Sequence, residues 1–390
     1  MSYEMRVVPF SLTLLLVLAA IPSIRGLPVA VKNVADCPLE NYAVLIIVEA
    51  EKLAEEGVEP SNICILNDAG EPIPFWIIPE TANSSRIAIY ALIDYLAPGE
   101  QVALHVVSGD CAPTPEKMFL LFDDFEFLDE RVWMVVWSSN IINATLDAKH
   151  GLYISATYLV TWQYVKLCSP VFNPPLAVEA LMIPLTGYDH DVCLAVYELG
   201  TESFHAAEAR GAYIHAWGWG SPGNDTGTLA WYRIAGPPGT QDYMWDVANW
   251  GEGGASPVWE AGEAFIFSIG VCSEGVEYRV YKVDSKGIKK LLANWVDKGI
   301  LNQTVIEVEQ LNGGAYNFTQ KAIVKWILVR PYVHPEPRVE VGVERVYESP
   351  LEPILRILSK PQNQILLIWS AMLIVGVVIF VTKVLRRGGE

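Results

Sequence analysis

The chain has 390 residues, of which 52% are hydrophobic and 18% charged. That balance supports two or three packed domains and excludes a disordered chain. The net charge of −18 repels phosphate backbones and argues against nucleic acid as a partner.

Aromatic residues make up 11%, alongside 29 Gly and 25 Pro, which favours an all-β fold rich in turns. Residues 1–26 read as a secretory signal: Arg6 precedes an apolar run at 7–21, Pro22 breaks it, and Ser23 and Gly26 offer cleavage points. An uncleaved N-terminal anchor is the alternative.

Residues 27–110 carry short apolar runs at 42–49, 63–66, 73–78, 86–92 and 101–107, with one short helix expected at 49–56. Turn signals such as Asn67-Asp68-Ala69-Gly70 separate them, which is the pattern of a β-sandwich. The stretch ENYAVLIIVEA…NICILNDAGEPIPFWI…RIAIYALIDYLAPGEQVALHVVSGD resembles the archaeal and bacterial surface domain known as domain-of-unknown-function family 2341. The resemblance covers residues 27–110, and it implies that a concanavalin-like (laminin-G-like) jelly roll follows. The cysteines within this block depart from the family's usual pattern.

Residues 111–118 read as a proline-bearing linker. The phrase FDDF at 122–125, with Leu128 and Trp133, is similar to the entry of such lectin-like domains. Residues 119–336 then hold strand-like runs at 151–158, 176–183, 192–198, 212–219, 228–234, 264–271 and 277–283, with 286–298 helical or extended. Strand number and length suit a jelly-roll sandwich. Residues 337–364 read as a stalk, with a short amphipathic helix expected at 350–359.

Residues 365–382 (ILLIWSAMLIVGVVIFVT) contain no charge and no proline. They would span about 27 Å as a helix, close to the thickness of a bilayer's hydrocarbon core. Lys383, Arg386 and Arg387 follow, so the tail at 383–390 is expected in the cytoplasm. A buried C-terminal helix is the alternative. The expectation is a single-pass protein of the cell membrane with its bulk outside.

Six cysteines, Cys37, Cys64, Cys111, Cys168, Cys193 and Cys272, contain no C-x-x-C pair, which argues against zinc. Outside a cell they are disulfide candidates. With three up to residue 111 and three from residue 168 on, either one bridge crosses between domains or two thiols stay free; alternatively they are buried small hydrophobes.

No E-x-D-x-x-E strand, G-x-S-x-G, H-E-x-x-H or P-loop occurs, so no catalytic residue is assigned. Glu307 and Glu309 would share one strand face, and ordinary solvated carboxylates explain them. Asp189 and Asp191, expected in a loop, are candidate calcium ligands, although such residues also form turns by default.

Trp217, Trp219, Trp231, Trp245, Trp250 and Trp259 crowd one region. They either fill the core or, for Trp245 and Trp250 with Asp246 and Asn249 between them, stack on sugars. Sequons at Asn83, Asn143, Asn224, Asn302 and Asn317 agree with export. Binding of glycans or of neighbouring surface proteins is the expected role. An anchored polysaccharide hydrolase and an ectodomain subunit of a membrane complex are the alternatives.

Overall fold

The computed structural model describes residues 26–149, 151–159, 163–186, 190–200, 211–218, 226–234, 258–296, 302–312 and 318–343. The expected signal peptide, transmembrane helix and tail lie outside them, as does the stalk beyond residue 343. No helix among the described residues is long and apolar enough to cross a membrane.

The all-β expectation holds. The first sandwich contains β1 (Leu27–Lys32), β2 (Leu39–Glu49), α1 (Ala50–Glu55), β3 (Ile63–Leu66), β4 (Phe75–Ile77), β5 (Arg86–Leu96) and β6 (Gln101–Ser108). The expected helix is α1, one and a half turns that bury Leu53.

The second sandwich begins with β7 (Leu121–Asp123), β8 (Met134–Trp137), β9 (Ile141–Ala148), β10 (Leu152–Tyr158) and β11 (Gln163–Phe172). It continues with β12 (Leu176–Pro184), β13 (His190–Glu198), β14 (Gly211–Gly218), β15 (Thr226–Ile234) and β16 (Val258–Glu260). Then come β17 (Ala264–Cys272), β18 (Gly275–Asp284), β19 (Gly287–Val296), β20 (Thr304–Asn312) and β21 (Phe318–Pro331). The last strand is β22 (Arg338–Val341). Residues 286–298, expected as helical or extended, are mostly β19.

Four antiparallel sheets stack in order. The outermost is β22-β1-β6-β3, followed by β2-β5-β4. An eight-stranded sheet comes next, β19-β18-β17-β12-β21-β10-β9 with β7 added beside β21, and a seven-stranded sheet, β16-β15-β14-β13-β20-β11-β8, completes the stack. Val29, Ile46, Ile89 and Val106 belong to the core between the first two sheets. Trp76, Tyr90, Leu181 and Trp326 belong to the core between the second and third. Val178, Ile214, Phe267 and Val308 belong to the core between the third and fourth. The two inner sheets therefore bury both faces. This is why RIAIYAL in β5 and AFIFSIGV in β17 read as near-continuous apolar runs rather than alternating ones.

The chain departs from simple domain order at its exit. The segment expected to open the stalk begins instead with β22, which pairs with β1 through Val29–Val341 and Val31–Val339. The first sandwich is thus completed by residues that follow the second. The expected linker at 111–118 is also held in place. Cys111 is bridged to Cys64, the Thr114 N–H donates to Phe75 O at 3.0 Å, and Met118 and Phe119 enter the middle core.

The cysteine expectation is corrected in part. Cys64–Cys111 is a disulfide within the first sandwich, its Cα atoms 5.3 Å apart, a span that a bridge requires. Cys168 and Cys193 are buried thiols on β11 and β13. Strand β20 lies between them and their registers differ by two residues, which puts them about 12 Å apart, beyond disulfide reach. Cys272 is a third buried thiol, and Cys37 is exposed.

Candidate functional site

The FDDF phrase sets the entrance of the second sandwich. Asp123 accepts from the Phe125 N–H (2.7 Å) through Oδ1 and from Trp133 Nε1 (2.6 Å) through Oδ2. Phe125 and Trp133 are both buried in the large core. Phe125 sits at φ 53°, an uncommon conformation for a bulky residue, and the Asp123 carboxylate holds its backbone there.

The seven-stranded sheet presents one face to that core and one away from it. Period-two alternation sends Ile306 and Val308 inward and so turns Glu307 and Glu309 outward. Strand register then lays two rows across the outward face. One runs Val136, Lys166, Glu309, Cys193, His215; the other runs Met134, Cys168, Glu307, Ala195, Tyr213.

Glu307 and Glu309 are buried, at 0% and 4% exposure, which overturns the reading of them as solvated carboxylates. Lys166, 5% exposed, donates to Glu307 Oε1 at 2.8 Å and to Oε2 at 3.0 Å. The Cys168 thiol donates to Oε1 at 3.3 Å. The pair survives burial because each charge meets its opposite at hydrogen-bond distance.

Titration follows from these contacts. Burial opposes the charge on Lys166, but Glu307 and Glu309 together hold its ammonium above the usual range. Burial, reinforced by the Glu307 charge, pushes the Cys168 thiol up to about 12. A thiol at that value is no nucleophile at neutral pH. Burial, then the Glu309 and Glu307 charges, raise Tyr197.

Glu307 and Glu309 lie about 7 Å apart along the strand, a separation that suits an acid and base in glycoside hydrolysis. Glu307, however, has both oxygens engaged by Lys166. No group of three His, Cys, Asp or Glu side chains among the described residues could hold a metal ion.

The sugar-stacking candidates Trp245, Asp246, Asn249 and Trp250 lie outside the described residues, as do Trp219 and the calcium candidate Asp189. Asp191, expected in a loop, is a strand residue of β13 registered against Trp217 and Leu311. Trp217 and Trp231 lie on β14 and β15, and Trp259 is fully buried in the core. Asn83, Asn143 and Asn302 are exposed; Asn224 and Asn317 lie outside the described residues. Lys166 was not singled out from sequence. The alternation V-I-E-V-E could have marked β20, and with it the need for a buried cation.

No protein-family model matches the chain, family 2341 included, and no curated protein matches it. Solved structures similar to it include the endo-beta-1,3-glucanase from Pyrococcus furiosus (11% identity, 55% of this chain and 95% of that one, TM-score 0.36). Another is the laminarinase catalytic domain from Thermotoga maritima (12%, 55% and 98%, TM-score 0.36). A third is the legume lectin-like domain from Entamoeba histolytica (8%, 52% and 91%, TM-score 0.34). The two-sheet architecture of the second sandwich rests on the strand pairing described above.

Proposed function

We propose that this protein is a membrane-anchored cell-surface binding protein whose interlocked sandwiches recognise glycans or other envelope components. On this reading the first sandwich is of the family 2341 type and the second a concanavalin-like jelly roll. Residues 365–382 anchor the chain, with the bulk outside and residues 383–390 inside.

The observation that carries binding over hydrolysis is the state of Glu307. Glycosidic cleavage needs two carboxyl groups presented to the sugar, one of them to donate a proton. Glu307 is buried with both oxygens bonded to Lys166, so it is placed as a structural anion. The ligand surface is assigned to Trp245, Asp246, Asn249 and Trp250. Calcium at Asp189 and Asp191 is tested alongside them.

The test is a glycan array probed with the detergent-solubilised full chain, with calcium and with chelator, for wild type and Trp245→Ala. Binding that Trp245→Ala abolishes supports the reading. Absence of binding to every glycan removes it. Protease added to intact cells tests the topology, which requires the chain before residue 365 to be cut without lysis.

A further inference from the structure

We infer that the protein pairs with a second copy of itself through strand β8, edge to edge about a two-fold axis at Val136.

The four sheets have eight end strands among the described residues. Exposed charge guards five of them: Arg338 on β22, Glu40 and Glu49 on β2, Lys289 and Lys290 on β19, Asp147 on β9 and Glu260 on β16. Two more are covered from within the chain. The Ile73 N–H donates to Ile65 O on β3 at 3.0 Å, and the Thr114 N–H donates to Phe75 O on β4 at 3.0 Å. Charges and covers of this kind keep sheet edges from pairing with other chains. Strand β8, Met-Val-Val-Trp, has neither among the described residues. Met134 is 62% exposed and Trp137 45%.

Register shows which backbone groups β8 leaves open. The Ser138 N–H donates to Tyr164 O at 3.1 Å, and Val136 and Met134 follow in step, opposite Lys166 and Cys168. Antiparallel alternation therefore turns the N–H and C=O of Met134 and Val136 toward β11, and those of Val135 and Trp137 away from it. An antiparallel copy centred on Val136 meets those open groups. Val135 exchanges two hydrogen bonds with Trp137 of the second copy, and Trp137 exchanges two with its Val135. The side chains of each such pair share one side of the joined sheet, as an aromatic ring beside a β-branched residue.

Charge selects a second copy as the occupant. Each chain carries −18, so two copies repel wherever acidic surfaces meet. Residues 132–140 (VWMVVWSSN) hold no charge, so a contact centred on Val136 is neutral along the strand on both sides of the axis. A two-fold contact also needs a self-complementary patch, and the placing of Val135 and Trp137 on either side of Val136 supplies one.

The experiment measures the mass of the detergent-solubilised full chain by light scattering over a range of micromolar concentrations. Wild type, Val135→Pro and Val136→Cys are compared, all carrying Cys37→Ser to remove the exposed thiol. Val135→Pro deletes an N–H that faces away from β11, so the sheet keeps its own bonds. The expected result is a dimer, weakened about tenfold or more in Val135→Pro because two of the four interchain bonds are lost. In Val136→Cys the two facing Cα atoms would lie about 4.5 Å apart, and mild oxidation should close an intermolecular disulfide. A monomeric wild type would overturn the inference. A dimer that Val135→Pro leaves unweakened, or that Val136→Cys does not cross-link, would place the contact elsewhere and overturn it as well. Oxidation in the producing cell that joins Val136→Cys to a different protein would overturn it in favour of a partner's strand.

Discussion

Arg330 grips Glu179 through two nitrogens, Nε at 3.0 Å and Nη2 at 2.8 Å, in the seam between the second and third sheets. The pair is closed from the first sandwich: Tyr90 donates to Glu179, and Arg330 Nη1 donates to Tyr42 Oη at 3.1 Å. It is closed from the exit segment too, where Glu336 accepts from both Arg330 and Arg279. One guanidinium therefore ties two sandwiches and the returning strand. Replacing Arg330 with Met leaves Glu179 buried and uncompensated, at an expected cost of about 3–5 kcal/mol. Urea titration should show that loss and show part of it recovered in Arg330→Met/Glu179→Met. Equal loss in the single and double variants would contradict the account.

Glu336 gives the seam a pH dependence. Burial raises its pKa, but Arg330 and Arg279 outweigh burial and hold it at about 2, below the usual 4.5. The folded state thus binds this proton more weakly than the unfolded one. Its contribution is complete above about pH 4.5 and is lost as pH falls from there toward 2. The amount is about 3 kcal/mol. Glu336→Gln should be less stable than wild type at pH 7 and show a flatter acid limb. Parallel acid limbs in the two proteins would remove Glu336 from the explanation.

Gly287 fixes how the β18–β19 turn meets the first sandwich. Its φ is +96°, and a Cβ there would lie 2.1 Å from Arg86 O, a backbone atom that cannot step aside. Gly287→Ala should cost about 1–3 kcal/mol and make the seam easier to cut by protease. A variant as stable and as resistant as wild type would show that the turn does not dock there.

On the outward sheet face, Lys166→Met should destabilise by about 3–5 kcal/mol, because Glu307 would be left buried without its cation. Lys166→Met/Glu307→Leu should recover most of that in thermal denaturation. Failure of the double variant to recover would mean that Glu307 has partners worth more than Lys166.

Much of the fold was legible because most strands alternate or run apolar between turns: β5, β6, β10, β12, β17 and β18 fall where the pattern places them. Strand β11 was not read, and β20 only as the face shared by Glu307 and Glu309. Their outward positions hold Lys166, Glu307 and Glu309, which look like surface residues until register places them against one another. β22 was hidden for a different reason. RVEV is four residues long and pairs with Val29–Lys32 at the far end of the chain, a long-range contact that no local pattern records. The candidates Trp245 and Trp250 were read from aromatic crowding with Asp246 and Asn249 between them, and burial of Trp259 shows that crowding also fills a core.

The most direct test of binding without cleavage uses one glycan library for two readouts, retention on the protein and release of reducing ends. The account predicts retention with no new reducing ends, unchanged by Glu309→Gln. Release of reducing ends by wild type and its loss in Glu309→Gln would contradict it and make the protein a hydrolase.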